Sequence, residues 1–199
     1  VRDTLRWHGP PPHLRWRERR RRHRRLILVL DVSGSMADYS RGLLQFAHTA
    51  TRSTKRVEVF CFGTRLTRIT RQLQHRRPDR AMAQAAREVV DWDGGTRIGE
   101  SLETLVRVWG RRGLCRGGVV IICSDGLDRG DPDTLDRALR RLRRLSHRIV
   151  WMNPHKGTSR HFVAASIGMM VAEPYVDVVL SGHNLDSLAE LAEVLPTLR

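Results

Sequence analysis

Short, almost unbroken runs of branched aliphatic residues alternate along this chain with longer stretches whose apolar positions recur every three or four residues. Leu26–Val32, Val57–Phe62, Val119–Ser124 and Arg148–Met152 are of the first kind and predict strands. The runs at Leu26 and Val119 lack polar alternation, the mark of strands buried on both faces of a sheet. Gly63-Thr64 allows a tight turn into Arg65–Thr70, an antiparallel edge strand whose outward arginines discourage pairing with another chain. Helices are expected over Arg41–Thr54, with Leu43, Leu44, Phe46 and Ala47 on its apolar side, and over Asp79–Val90 and Ile98–Trp109. Asp131-Pro132 opens a further helix reaching Leu145, its proline suited to a first turn. Asn153-Pro154 stops the strand before it, and a helical pattern over Ser159–Met170, a short strand at Val176–Leu180 and a closing helix at Asp186–Leu195 complete the series. Strand alternating with helix, without internal repeat, predicts an α/β fold: a doubly wound, mostly parallel six-stranded sheet with one antiparallel edge strand and helices on both faces.

The chain's 199 residues suit one such domain, 26–199, behind a basic segment, 1–25. That segment contains a Gly9-Pro10-Pro11-Pro12 stop, cannot bury itself, and reads as the partly disordered tail of an upstream region. Residues 15–25 hold eight arginines against one Glu and supply about half of the formal charge of +15. Such a run is a solvated leader or a docking arm for an acidic protein, with nucleic acid as the alternative. No zinc-finger spacing or aromatic stacking motif supports the nucleic-acid reading. No apolar run approaches membrane-spanning length, and the N-terminus lacks the apolar middle of a signal peptide. Cys61, Cys115 and Cys123 have no ligand spacing, and the odd, unpatterned set fits a reducing compartment: cytoplasmic, at most peripheral to the inner face of the membrane.

Chemistry concentrates at three strand ends. The run into Leu30 finishes in Asp31-Val32-Ser33-Gly34-Ser35, placing one carboxylate and two hydroxyls two residues apart where an α/β sheet opens its crevice. Those oxygens can converge on one small hard cation, as Mg²⁺ requires. Asp93-Gly94-Gly95-Thr96 offers another hydroxyl from a glycine-rich loop, and Ser124-Asp125-Gly126 another carboxylate after a buried run. Taken singly, Ser33, Ser35 and Thr96 could be helix caps and Asp125-Gly126 a plain turn; taken jointly, they are expected to form a metal site that also caps helices. An aspartyl phosphatase would want a carboxylate where Ser33 stands, and the frame Gly-x-Ser-x-Gly of a serine hydrolase is absent. Asp128 and Asp133 read as surface carboxylates, and Asp131 before Pro132 as a helix cap.

The three segments resemble the metal-ion-dependent adhesion site (MIDAS) of von Willebrand factor A (VWA) domains, whose fold is the Rossmann-like one predicted above. Longer stretches resemble the CoxE-like group of VWA proteins: Phe60-Cys61-Phe62-Gly63-Thr64-Arg65, Asp91-Trp92-Asp93-Gly94-Gly95-Thr96-Arg97-Ile98-Gly99, Ser124-Asp125-Gly126-Leu127-Asp128-Arg129-Gly130-Asp131-Pro132, Trp151-Met152-Asn153-Pro154 and Gly182-His183-Asn184-Leu185. The likeness extends from about Leu5 to Leu195. It implies Mg²⁺, with Mn²⁺ or Ca²⁺ as alternatives, held by Asp31, Ser33, Ser35, Thr96 and Asp125, and completed by an acidic residue of a partner. It also implies a non-enzymatic adaptor that works with a MoxR-type AAA+ ATPase on a metalloenzyme client, such as aerobic carbon monoxide dehydrogenase during its maturation. No Walker A loop is present, so ATP chemistry would be the partner's. Members of the group carry a longer region ahead of the VWA domain, which this chain is expected to lack.

Overall fold

The computed structural model describes residues 24–89, 95–157 and 166–182, together with Ser187, Glu190, Leu191 and Glu193. Six strands form one sheet: β1 (Leu26–Asp31), β2 (Val57–Phe62), β3 (Leu66–Arg68), β4 (Val119–Cys123), β5 (Arg148–Asn153) and β6 (Val178–Ser181). Their order is β3-β2-β1-β4-β5-β6; all pairs are parallel except β2 with β3. Around them lie α1 (Ala37–Ser53), α2 (Thr70–Leu73), α3 (Pro78–Glu88), α4 (Ile98–Thr104), α5 (Pro132–Leu145) and α6 (Ile167–Ala172).

The two-residue period of the strands divides the core in two. Leu28, Leu30, Val59, Cys61, Ile121 and Cys123 face one way, onto Leu43, Leu44 and Ala47 of α1 and Ala81 and Ala85 of α3. Ile27, Val29, Phe60, Phe62, Val120 and Ile122 face the other way, onto Ile98 and Leu102 of α4 and Leu135, Leu139 and Leu142 of α5. Because β1 and β4 carry apolar side chains on both faces, neither strand alternates in sequence. The chain winds outward from β1 in both directions, so the gap between the ends of β1 and β4 is the sheet's switch point, where such folds bind ligands.

Several boundaries differ from those expected from periodicity. The first helix begins at Ala37 rather than Arg41, since a single tight turn over Gly34–Met36 feeds straight into it. The edge strand is three residues long. Thr70 leaves it for α2, its Oγ1 donating to Glu58 Oε2 (2.8 Å) and accepting from Val59 N (2.9 Å). The helix expected to reach Trp109 ends at Thr104 and continues as a π-helical turn, Leu105–Gly110. The third helix ends two residues before Val90, which lies outside the described residues, and β6 starts two residues after Val176. Of the helical pattern over 159–170, α6 retains the end, and 159–165 lie outside the described residues. In the closing helix Ser187, Glu190, Leu191 and Glu193 are helical, and its other residues lie outside as well. So do residues 1–23 of the basic segment; Arg25, at its end, accepts a backbone hydrogen bond from Val119 (2.9 Å).

Candidate metal centre

The end of β1 delivers Asp31 into the switch point, where it is fully buried. Its Oδ1 accepts from the Ser33 backbone N–H (2.9 Å), which folds the next residues back over the strand end. Its Oδ2 accepts from Ser124 Oγ (2.6 Å), a residue at the end of the neighbouring β4. Ser124 Oγ also accepts from Gly126 N (3.1 Å), so one hydroxyl stitches the two strand ends together. Burial pushes the Asp31 carboxyl up to about 6, against the pull of the Ser124 and Ser33 hydrogen bonds and with a small further push from Asp125. A carboxylate that is costly to ionise, beside a second carboxylate, calls for positive charge.

Ser33 and Ser35 present their hydroxyls 3.3 Å apart, the first buried and the second exposed. Neither caps a helix: Ser33 precedes the tight turn without a side-chain cap bond, and α1 is headed by Met36. The capping role open to these serines in the sequence is therefore not taken. Asp125 divides its work. Oδ1 accepts from Leu127 N (2.9 Å) and makes the turn, whereas Oδ2 is buried with no hydrogen-bond partner among the described residues. A buried carboxylate oxygen without a donor is expensive unless a cation faces it.

Thr96 is also buried and also free of the capping role. Its loop is held from two sides: Arg97 N donates to Gly63 O at the end of β2, and Arg129 N donates to Thr96 O, both at 2.9 Å. The start of α4 is capped instead by Asp128, whose Oδ1 accepts from Ile98 N (3.0 Å) and Oδ2 from Gly99 N (3.2 Å). Asp128 is thus not the surface carboxylate that its sequence context implied. It ties the Thr96 loop to the Asp125 loop, and its Oδ1 also accepts from Gly130 N (2.8 Å). Asp131 is the cap expected of it, accepting from Asp133 N and Thr134 N.

Of three further supports, Trp151 and Asn153 lie in one of the CoxE-like stretches, which assigned them no role at the site, and Ser166 carried no sequence signal. Asn153 Nδ2 (3.1 Å) and Ser166 Oγ (3.2 Å) both donate to Asp125 O, and Trp151 Nε1 donates to Ser124 O (2.8 Å). Gly126 takes φ +80°, and a Cβ on Gly168 would stand 2.4 Å from its carbonyl oxygen, so α6 approaches this loop at backbone contact. Among the described residues no group of three or more His, Cys, Asp or Glu is arranged to hold a metal. A cation here would depend on hydroxyls as much as carboxylates. This donor set of hard oxygens fits Mg²⁺ or a similar ion and suits a soft one poorly.

A family model of the VWA domain containing CoxE-like proteins matches residues 1–188. The chain belongs to this family. Its sheet order and flanking helices are those of the VWA fold. Among solved structures, proximal thread matrix protein 1 from the mussel byssus is similar at a TM-score of 0.56 and 16% identity, over 88% of this CoxE-like chain and 47% of that one. A second structure of that protein, described with a zinc-occupied MIDAS motif, gives 0.56 and 17%, over 87% and 48%. A von Willebrand factor type A structure from Catenulispora acidiphila gives 0.53 and 15%, over 88% and 42%. The CoxE-like chain thus spans about half the length of these relatives or less, and likeness at such identities concerns the fold alone. Comparison with curated proteins finds no match.

Proposed function

We propose that this CoxE-like chain is a non-enzymatic, divalent-metal-dependent protein-interaction module. Asp31, Ser33, Ser35, Thr96 and Asp125 would hold Mg²⁺, with Mn²⁺ or Ca²⁺ as substitutes. The observation that carries the reading is the buried Oδ2 of Asp125, unpartnered among the described residues and close enough to Asp31 to add to the upward push of burial on its carboxyl, at a strand end where Ser33, Ser35 and Thr96 cap no helix. When bound, the ion supplies a positive charge that hydroxyl ligands leave largely uncancelled, and so an anchor for a partner's carboxylate. The chain's own residues orient: Ser124 fixes Asp31, Asp128 fixes the Thr96 loop, and Asn153 and Ser166 fix the backbone of Asp125.

The partners proposed are a MoxR-type AAA+ ATPase and a metalloenzyme client in the cytoplasm, with aerobic carbon monoxide dehydrogenase as the client to test first. Family membership supports this role. Catalysis has little to draw on, since Asp31 and Ser33 are engaged with each other and the three cysteines are buried thiols. Burial pushes Cys123 up to about 12 and Cys115 up to about 11, well away from a reactive thiolate. Capture of the ATPase and of dehydrogenase subunits on immobilised chain, with Mg²⁺ or with EDTA, tests the proposal. Capture that is lost in EDTA and in Thr96→Ala is the expected result. Equal capture under all three conditions would refute a metal-anchored module.

A further inference from the structure

The parallel strands start in register: Leu26 pairs with both Val57 and Val119, and Val119 with Arg148. The segments leading into β1, β2, β4 and β5 therefore meet along one edge, at the far end of the strands from the candidate metal centre. Residues 24–25, 54–56, 111–118 and 144–147 include Arg or Lys in every segment and no Asp or Glu in any. They form one surface. Leu26 N donates to Arg56 O and Val119 N to Arg25 O (2.9 Å each), while Gly117 N donates to Leu145 O (2.9 Å) and His147 N to Gly118 O (2.7 Å). Arg24 and Arg25 brace it by donating to the carbonyls of Gly117, Gly113 and Leu114.

Another arginine-rich stretch of the chain is largely neutralised by its neighbours. On the flank of α5, Arg137, Arg140, Arg141 and Arg143 lie 3.8, 2.7, 3.5 and 2.7 Å from Asp131, Asp136, Glu103 and Asp177. At the basic edge Arg112, Arg116 and Arg144 are exposed, and none forms an ion pair among the described residues. The carboxylate that leads into β6, Asp177, is already engaged by Arg143, Arg148 and the Ile149 N–H. At the opposite end the loop 124–133 holds four Asp and one Arg. Arg144, in the last turn of α5, offsets the helix dipole, but Arg112 and Arg116 sit in a loop where that explanation fails.

We propose that this edge is a second docking surface, which binds an acidic segment of a protein partner independently of the metal centre. Guanidinium groups fixed on a braced set of loops match carboxylates in geometry as well as charge. Nucleic acid fits less well. Arg112 and Arg116 stand on a loop rather than on a helix or ribbon that could enter a groove. The large ring closest in sequence, Trp109, is packed edge-on against Phe60, 5.0 Å between centroids. An adaptor with two such ends can hold two partners at once, one through the ion and one through this edge.

The test goes beyond the metal-dependent reading and is independent of it, because every measurement is made in EDTA. Fluorescent poly-L-glutamate of about 50 residues is titrated with the intact chain across a salt series. Two double variants of equal charge change are compared: Arg112→Glu with Arg116→Glu at the basic edge, and Arg41→Glu with Arg87→Glu on α1 and α3. All four side chains are exposed, so both variants should fold, which circular dichroism checks. The expected result is a loss of at least about tenfold in affinity for the edge variant and of less than about threefold for the control, both differences shrinking as salt rises. Equal losses in the two variants would show attraction to net charge alone and overturn the proposal. So would tighter binding to a DNA duplex of matched charge, with the same dependence on Arg112 and Arg116.

Discussion

Replacing Asp31 by asparagine separates the two demands that the switch point makes on its buried carboxylate. The substitution keeps the shape and removes the charge. In the folded chain the Asp31 carboxyl titrates at about 6, against 3.8 for an ordinary aspartate, and burial is the main cause. A folded-state value raised above the unfolded one means that the folded protein binds this proton more tightly. Stability from Asp31 is therefore greatest with the proton on, declines as pH rises through the window between the two values, and is lost above about 6. A difference of roughly two units corresponds to about 3 kcal/mol, of which about 2 kcal/mol falls between about pH 4.5 and about pH 8. The amide of the Asp31→Asn variant has no such titration. Its Oδ1 can still accept from Ser33 N, whereas its Nδ2 meets Ser124 Oγ as a donor and turns the serine proton away, a fixed cost of about 1 kcal/mol at every pH. Urea unfolding in EDTA should accordingly show the variant gaining about 2 kcal/mol on the wild type from the acid to the alkaline end. Added Mg²⁺ should raise the midpoint of the wild type and leave that of the variant unchanged. Parallel pH profiles for the two proteins would refute the account of a carboxylate held against its burial.

Other substitutions test the supports around it. Thr96→Ala should lower Mg²⁺ affinity by about tenfold or more in calorimetry, yet leave the thermal midpoint almost unmoved, because the hydroxyl caps no helix. Asp128→Ala removes the cap of α4 and should cost about 1–2 kcal/mol in urea unfolding, with weaker Mg²⁺ binding as the Thr96 loop loosens. Gly168→Ala forces a Cβ to within 2.4 Å of Gly126 O and should destabilise, unlike a typical exposed-helix Gly→Ala change, which stabilises by about 1 kcal/mol. A stable Gly168→Ala protein with normal metal affinity would show that α6 does not position the Asp125 loop.

The sequence made the strands that carry the site easy to read, because β1 and β4 lie at the centre of the sheet and had to be apolar on both faces. Its peripheral elements were harder. The edge strand lost half its expected length to the polar interactions of Thr70, which no hydrophobic period records. Of the expected ligands, Asp31, Ser33 and Ser35 were singled out by their spacing and Asp125 by the buried run before it, and the structure links these four through hydrogen bonds or shared charge. Ser124 itself passed for the polar end of a strand. Asp128 was misread because its partners, Ile98 and Gly99, lie about thirty residues away in sequence. The absence of a good capping residue at Arg97, where α4 begins, was the available clue that a distant carboxylate does the work.

The registers on either side of β1 place Leu30 directly between Cys61 and Cys123. Two strand spacings, roughly 10 Å, separate the two sulfur-bearing residues, beyond the ~7 Å that a disulfide can span. An oxidant therefore cannot staple this core, and a bulky alkylating reagent cannot reach it, because all three thiols are buried. Every cysteine that reacts under native conditions must come from a molecule that has opened. The rate of thiol labelling is thus a built-in clock for the opening of the sheet, readable without any added probe, and it should slow when a divalent ion ties the ends of β1 and β4 together.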